Sequence, residues 1–324
     1  MVKFNKISKN IKEILIDNET SPGEKIKWLD VTNAGKKEME YLRKEFDFKL
    51  SHLQSSSAKI ISQRTIIDNT EDYLFLIIHF PIFQEEIIMP GEIDFFISKN
   101  YIVTIHNSNV NGINEFFNLC KKDGDSFLSH QLKSIPLLLY EILEKIMLES
   151  YNLLDQNSAS MISLEKIIFD EKSKKLVSTL LKLQRNIINT RKIMLNHKNI
   201  IKKLISSEIG LLSHSDEEIK KYYLKLIDHS KRFWEILEIQ KEMIEVLNNT
   251  NESLINYRTN DIMRTLTIFS VIVFPLTLLA GIFGMNTTKG MPFIESSYGF
   301  WIILSLMLVS STGMIIYFHR KKWF

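Results

Sequence analysis

Two uncharged apolar stretches near the end of the chain constrain its fold more than any other feature. From Thr265 to Thr288 no residue is charged, and Leu266–Phe283 is interrupted only by Thr267, Ser270, Pro275, Thr277 and Gly281. From Ser296 to Phe318 charge is again absent. About 20 predominantly apolar residues carry a helix across roughly 30 Å of hydrocarbon, so each stretch suffices for one membrane span. The competing reading is a pair of helices buried in a soluble core, and two adjacent, terminal runs of this length weigh against it. The loop between them, about Met285 to Glu295, holds one lysine and one glutamate. Arg258 and Arg264 flank the first stretch, and His319-Arg320-Lys321-Lys322 follow the second. Positive charge collects on the cytoplasmic side of a membrane. Both termini are therefore expected inside the cell, with the short loop outside and the chain held in the inner (plasma) membrane. Tyr298, Trp301, Tyr317 and Trp323 lie near the ends of the second stretch, where amphipathic rings favour the interface.

A long helix is expected to lead into the first span. Between Gly210 and Pro275 there is neither proline nor glycine, and Ser215 with Glu218 has the spacing of a capping box. Apolar residues recur at Ile219, Tyr222, Leu226, Phe233, Leu237, Ile244, Leu247, Leu254 and Tyr257, in steps of three, four or their sums, which is a helix face. A helix from Ser215 to Phe283 would extend on the order of 100 Å. A coiled-coil stalk explains that face equally well. Within the span, Asn260, Thr267, Ser270, Phe274, Thr277 and Gly281 follow one another at spacings that share one stripe. Polar atoms facing lipid are unfavourable, so such a stripe turns toward other helices or toward water. The spacing does not choose between those two. Pro275 removes one helical hydrogen bond and is expected to bend the helix.

The remainder reads as a mixed α/β region followed by helices, an α+β chain. Short β-rich runs stand at Ile11–Ile16, Ile26–Val31, Arg64–Ile67, Tyr73–Phe80, Glu86–Met89, Ile93–Ser98 and Tyr101–His106, with turns expected at Pro90-Gly91 and Lys99-Asn100. Gly35–Phe48 reads as an amphipathic helix. Long antiparallel helices are expected near Leu132–Gln156 and Ala159–Ser207. The divisions are 1–110 (cytoplasmic α/β), 111–260 (helical stalk), 261–284 (first span), 285–297 (outer loop), 298–318 (second span) and 319–324 (basic tail).

Several function classes are disfavoured. The net charge of +3 is small and the basic residues are scattered, so no nucleic-acid partner is expected. Cys120 is the only cysteine, which excludes a disulfide framework within one chain and suits a reduced compartment. Met1-Val-Lys-Phe-Asn-Lys-Ile runs into mixed charges, so no cleaved secretory signal is expected. No phosphate-binding glycine loop, catalytic acid pair or nucleophile–histidine arrangement is visible, so an enzyme is not expected. The eight histidines (52, 79, 106, 130, 197, 214, 229 and 319) lack metal-ligand spacing. Each is expected to be exposed or satisfied, and no cofactor is implied.

The first span ends Ala280-Gly281-Ile282-Phe283-Gly284-Met285-Asn286. This resembles the signature of the CorA family of magnesium channels, in which Gly-Met-Asn follows the first of two spans. Met263–Ile268, Phe274-Pro275-Leu276-Thr277, Met291-Pro292 and the terminal Lys321-Lys322-Trp323-Phe324 extend the resemblance. Lys27–Val31, Glu92–Ile105 and Gln184–Lys192 carry it over most of the chain. It implies a homopentameric funnel whose first spans line a pore. Gly284, Met285 and Asn286 would form the outer mouth and selectivity filter. Asn260, Thr267, Ser270 and Thr277, with Gly281, would line the path, and Leu266 and Phe274 would be apolar constrictions. Magnesium gives up its waters reluctantly, so neutral amide carbonyls at Asn286, with Thr277 and Asn260 below, would hold it through its hydration shell. A ring of leucines can close such a path by excluding water.

Three departures stand out. Ser55 and Ser56 occupy positions where family members with a cytoplasmic regulatory metal site carry acids, and Lys225 stands at the matching position on the long helix. Phe293 replaces the usual acid after Met-Pro. Asp228 is left as a weak ligand candidate. The expected function is passive conduction of hydrated divalent cations, magnesium with cobalt or nickel as further cargo. A zinc or broad divalent transporter on the same fold is the near alternative. A membrane-anchored coiled-coil scaffold or sensor without a pore is the distant one.

Overall fold

Apolar-rich runs within positions 2–106 build one seven-stranded sheet, with β1 Val2–Lys6, β2 Ile11–Asp17, β3 Lys25–Thr32, β4 Ile66–Asn69, β5 Leu74–Gln84, β6 Ile87–Ile97 and β7 Tyr101–His106. The structure is a computed structural model, and it describes residues 2–17, 25–57, 65–122, 134–168, 174–206, 217–286, 290–293 and 296–323. Strand order is β1-β2-β3-β7-β6-β5-β4. Among the described strands β3 and β7 run parallel, with Trp28 opposite Ile102, and the other pairs are antiparallel.

Both faces of the sheet are covered, which explains why β5 and β7 read as continuous apolar runs rather than alternating ones. On one face lie α1 (Lys36–Phe46) and α2 (Leu50–Ser55), packed through Leu42, Leu53 and, in the link between the helices, Phe48 against Phe75, Phe96 and Val103. On the other lie α3 (Asn111–Lys122), α4 (Ile135–Ile168), α6 (His197–Ile205) and the start of α7 (Glu217–Phe283). Trp28 anchors this second core. It has no exposed surface, meets Phe116 and Phe117, and donates its indole N–H to Thr104 Oγ1 at 3.1 Å.

The sequence expectation is revised in several places. Pro90-Gly91 is not a turn; β6 runs through it, with Pro90 opposite Pro81 and Gly91 opposite Phe80. Two prolines can face one another where the ladder requires no N–H from either. Gly91 is needed because a Cβ there would lie 2.8 Å from Ile82 Cγ2. The turn falls instead at Glu85-Glu86, both in the left-handed region that a tight hairpin requires (φ 49° and 67°). The edge strand β1 is only five residues long, too short for its alternation to announce it, and its Phe4 packs against Phe117. α1 begins after Gly35, whose N–H bonds the Glu38 side chain at 2.9 Å, and ends at Asp47 with φ 52°.

No helix break occurs between Gln156 and Ala159. α4 continues to Ile168, with neither glycine nor proline after Pro136 to break it, and Leu154 O and Ser158 Oγ accept from Gln240 Nε2. The second expected helix is divided into α5 (Lys174–Met194) and α6, separated at Leu195-Asn196. On α7 the buried tyrosine is Tyr223, its hydroxyl donating to Pro136 O at 2.9 Å, rather than Tyr222. Ser215 of the expected capping box lies outside the described residues, as do His130 and His214.

The chain divides into two units, Met1–Leu247 and Asn248–Phe324. The second holds the C-terminal part of α7 and the apolar helix α8 (Gly299–Arg320). The apolar windows of α7 and α8 have mean hydropathies of 2.4 and 2.0, yet only 6% of each is buried. A soluble core helix would be buried, so these surfaces require lipid or further copies of the chain.

Candidate permeation site

Helical geometry sets the site. At 3.6 residues per turn, Asn260, Thr267, Ser270, Phe274, Thr277 and Gly281 fall within an arc of about 100° on α7. All are exposed or half-buried in the single chain. The hydroxyl protons of Thr267, Ser270 and Thr277 are directed to the backbone: each donates to the carbonyl four residues earlier, Met263 O at 2.7 Å, Leu266 O at 2.8 Å and Val273 O at 2.9 Å. A hydroxyl oxygen retains two lone pairs, so each presents an acceptor outward. That is the complement of a hydrated cation, whose waters point their hydrogens away from the metal.

Leu266 borders the stripe and Phe274 lies in it; they are 63% and 71% exposed, so nothing within the single chain covers them. Met263, 53% exposed, falls on the same arc and was missed by sequence reasoning. Its spacing, three after Asn260 and four before Thr267, carried the signal. Pro275 lies inside the helix. Having no N–H, it leaves the Val271 carbonyl without its helical donor.

α7 ends in a turn at the signature. Gly284 N–H bonds Ala280 O at 2.9 Å, and Met285 N–H bonds Ile282 O at 3.3 Å. A Cβ at Gly284 would stand 3.0 Å from Ala280 O, so glycine permits this tight exit, whereas Gly281 has open space around it. Met285 and Asn286 follow, both exposed. Phe293, where the resemblance implied an acid, adopts a left-handed φ of 71°, and its carbonyl accepts from Ser296 N–H.

The positions that resemble a regulatory metal site show no acidic cluster. Ser55 Oγ donates back to Ser51 O at 3.0 Å, and Ser56 is buried with its hydroxyl unpartnered. Lys225 lies over the Tyr222 ring, 5.1 Å from its centroid, and offsets the burial that raises the pKa of Glu141. Asp228 is ion-paired with Lys231 at 3.1 Å on an exposed surface. Among the described residues no three His, Cys, Asp or Glu side chains converge as a metal site.

Three of the six described histidines have hydrogen-bonded rings: His52 with Tyr73 and Asp68, His79 with Glu92, and His106 with Asp30 and the Asn107 carbonyl. His197 departs from expectation. It is buried with both ring nitrogens unpartnered, its edge against Phe80, because α6 docks it into the apolar core.

An α+β protein with two exposed apolar helices, the first bearing an acceptor-lined stripe that ends in Gly-Met-Asn, is a two-span membrane protein with the features of an ion transporter. The chain belongs to the family described as CorA-like Mg2+ transporter protein, whose profile matches residues 23–320. YfjQ of Bacillus subtilis (strain 168) is 27% identical over 317 residues, 97% of this chain and 95% of that one. The cobalt/magnesium transport protein CorA of Methanocaldococcus jannaschii is 24% identical over 300 residues, 91% of this chain and 90% of its own. The complete structure of the CorA magnesium transporter from that organism matches with a TM-score of 0.84 at 20% identity, covering 98% of this chain and 100% of that one.

Proposed function

We propose that the protein conducts hydrated divalent cations, magnesium foremost, through a central path lined by α7 from several copies of itself. The observation that carries this is the row of hydroxyl oxygens at Thr267, Ser270 and Thr277 whose protons are committed to the helix. Copies of such a helix around an axis would present rings of acceptors to the waters of an ion. Asn286 would add neutral amide carbonyls at the outer rim, where Gly284 and Met285 shape the exit, and Asn260 would add amides at the inner end. Gly281, open within one chain, leaves room along this path. Leu266 and Phe274 would close it by excluding water. Five copies is what the family resemblance implies. Arg258, Arg264, Arg320, Lys321 and Lys322 support cytoplasmic termini.

No fuel site is required. A membrane potential supplies about 2.3 kcal/mol per charge per 100 mV, hence about twice that for a divalent ion. The test is magnesium flux into liposomes containing the purified protein under an inward-negative potential. Flux that grows with the potential is expected; flux equal to that of empty liposomes would overturn the proposal.

A further inference from the structure

A two-lobed cleft opens where the tip of the β5–β6 hairpin meets α4 and α5. One lobe, of about 260 Å³, lies between the end of β5, the start of α3 and α4; the other, of about 290 Å³, lies between the hairpin, α4 and α5. They share Phe83, Leu153 and Gln156, which form the waist. Clefts of roughly 300–1,000 Å³ hold small organic molecules. Every lining residue belongs to the first of the two units.

The frame is fixed by the chain itself. Asn186 and Asn189 of α5 donate to Glu86 O at 3.2 Å and Ile88 O at 2.9 Å, which ties the hairpin to the helix. On the strand held in this way Phe83 is 54% exposed, a large ring left to water in the wall of a cavity. Gly112, the second residue of α3, admits the Glu149 carboxylate against the first turn of that helix, since a Cβ there would lie 2.2 Å from Glu149 Oε2. Burial raises the pKa of Glu149, Glu115 raises it further and Lys145 opposes them.

The lining selects a class of ligand. Around Glu149 the first lobe presents the carboxamides of Asn109, Asn111, Asn152 and Gln156. A carboxamide offers donors and an acceptor side by side, the pattern that pairs with the edge of a purine. In the second lobe Asn157 is 5% exposed and its Nδ2 has no hydrogen-bond partner, a buried donor left for an acceptor. Phe83 supplies a stacking platform, and stacking on an aromatic ring needs no charge on the ligand. A polyanion is disfavoured, because Glu149 is an acid and Lys182, the cation in the lining, is already paired with Glu86.

We propose that this cleft binds one purine nucleoside, with the base stacked on Phe83 and its edge hydrogen-bonded by the carboxamides beside Glu149. The site shares no residue with the conduction stripe, so it stands or falls apart from the transport reading.

The test is isothermal titration of the full-length protein in detergent with adenosine, guanosine, AMP and maltose, for the parent and for Phe83→Ala, Phe83→Trp and Gln156→Ala. Saturable binding of at least one of the two nucleosides is expected in the parent, with AMP no tighter than adenosine. Phe83→Ala should weaken that binding about ten-fold, Gln156→Ala should weaken it several-fold, and Phe83→Trp should retain it. Phe83 and Gln156 are exposed, so these variants should fold, and matching Tm values check that they do. No nucleoside binding in the parent, or parent-level binding in Phe83→Ala, overturns the site. AMP binding more tightly than adenosine, or maltose binding where neither nucleoside does, overturns the assignment to an uncharged purine. Absence of magnesium flux with nucleoside binding intact would sink the transport reading and leave the cleft standing.

Discussion

Acidification should weaken the α/β unit through His197. This side chain is fully buried, and burial pushes its pKa down from 6.5 to about 4; the carbonyls of Met194 and His79 favour the protonated form without completing hydrogen bonds, and His79 itself lowers the pKa slightly. A base with a depressed folded pKa stays neutral in the folded chain while the unfolded chain takes up a proton. Stability is therefore fully present above the unfolded value and is lost as pH falls toward the folded one. The loss works out at about 2 kcal/mol by about pH 5 and about 3 kcal/mol by about pH 4. Trp28, buried between Phe116 and Phe117, can report unfolding by fluorescence once Trp234, Trp301 and Trp323 are replaced by phenylalanine. Urea unfolding in that background, with and without His197→Leu, isolates the histidine from the carboxylates that titrate over the same range. The parent should lose about 3 kcal/mol more than His197→Leu between neutral pH and about pH 4. Parallel pH profiles for the two proteins would refute the reasoning.

Three further outcomes follow from the same geometry. Asn186 on α5 accepts from Ile88 N–H at 3.0 Å and donates to Glu86 O at 3.2 Å, clamping the β5–β6 hairpin. Asn186→Ala should cost about 1–3 kcal/mol in urea unfolding through the orphaned Ile88 N–H, whereas Lys182→Ala, at the exposed ion pair with Glu86, should cost under about 1 kcal/mol. Phe274→Ala should raise resting magnesium flux in liposomes if this ring is a water-excluding constriction, and unchanged or lower flux would count against that role. Competition during uptake separates the cargo readings: cobalt and nickel should inhibit magnesium flux, whereas inhibition by zinc alone would favour the zinc transporter.

The elements that were legible in the sequence carry long or unambiguous patterns. The two spans are visible because twenty uncharged residues in a row have few other uses, and α7 because sixty residues pass without a helix breaker. β5 and β7 are visible as dense apolar runs. The Pro90-Gly91 misreading has a specific cause: local turn propensity was overridden by a cross-strand partner, Pro81, nine residues away. α4 also runs past Asn157 without a glycine or proline between Leu137 and Ile168, a signal as local as that of α7, whereas its contact with Gln240, more than eighty residues downstream, has no local trace. Within the candidate site, Gly284-Met285-Asn286 and the oxygen stripe followed from motif and helical period, and Met263 was accessible by the same arithmetic.

The central claim is that α7 surrounds a watery path whose outer rim is made of neutral amides. Magnesium flux through liposomes containing Asn286→Ala, beside the parent at equal incorporation and with matching thermal unfolding, tests it most directly. The account predicts that the substitution reduces flux to the level of empty liposomes while the protein stays folded. Parent-level flux in the Asn286→Ala protein would contradict it.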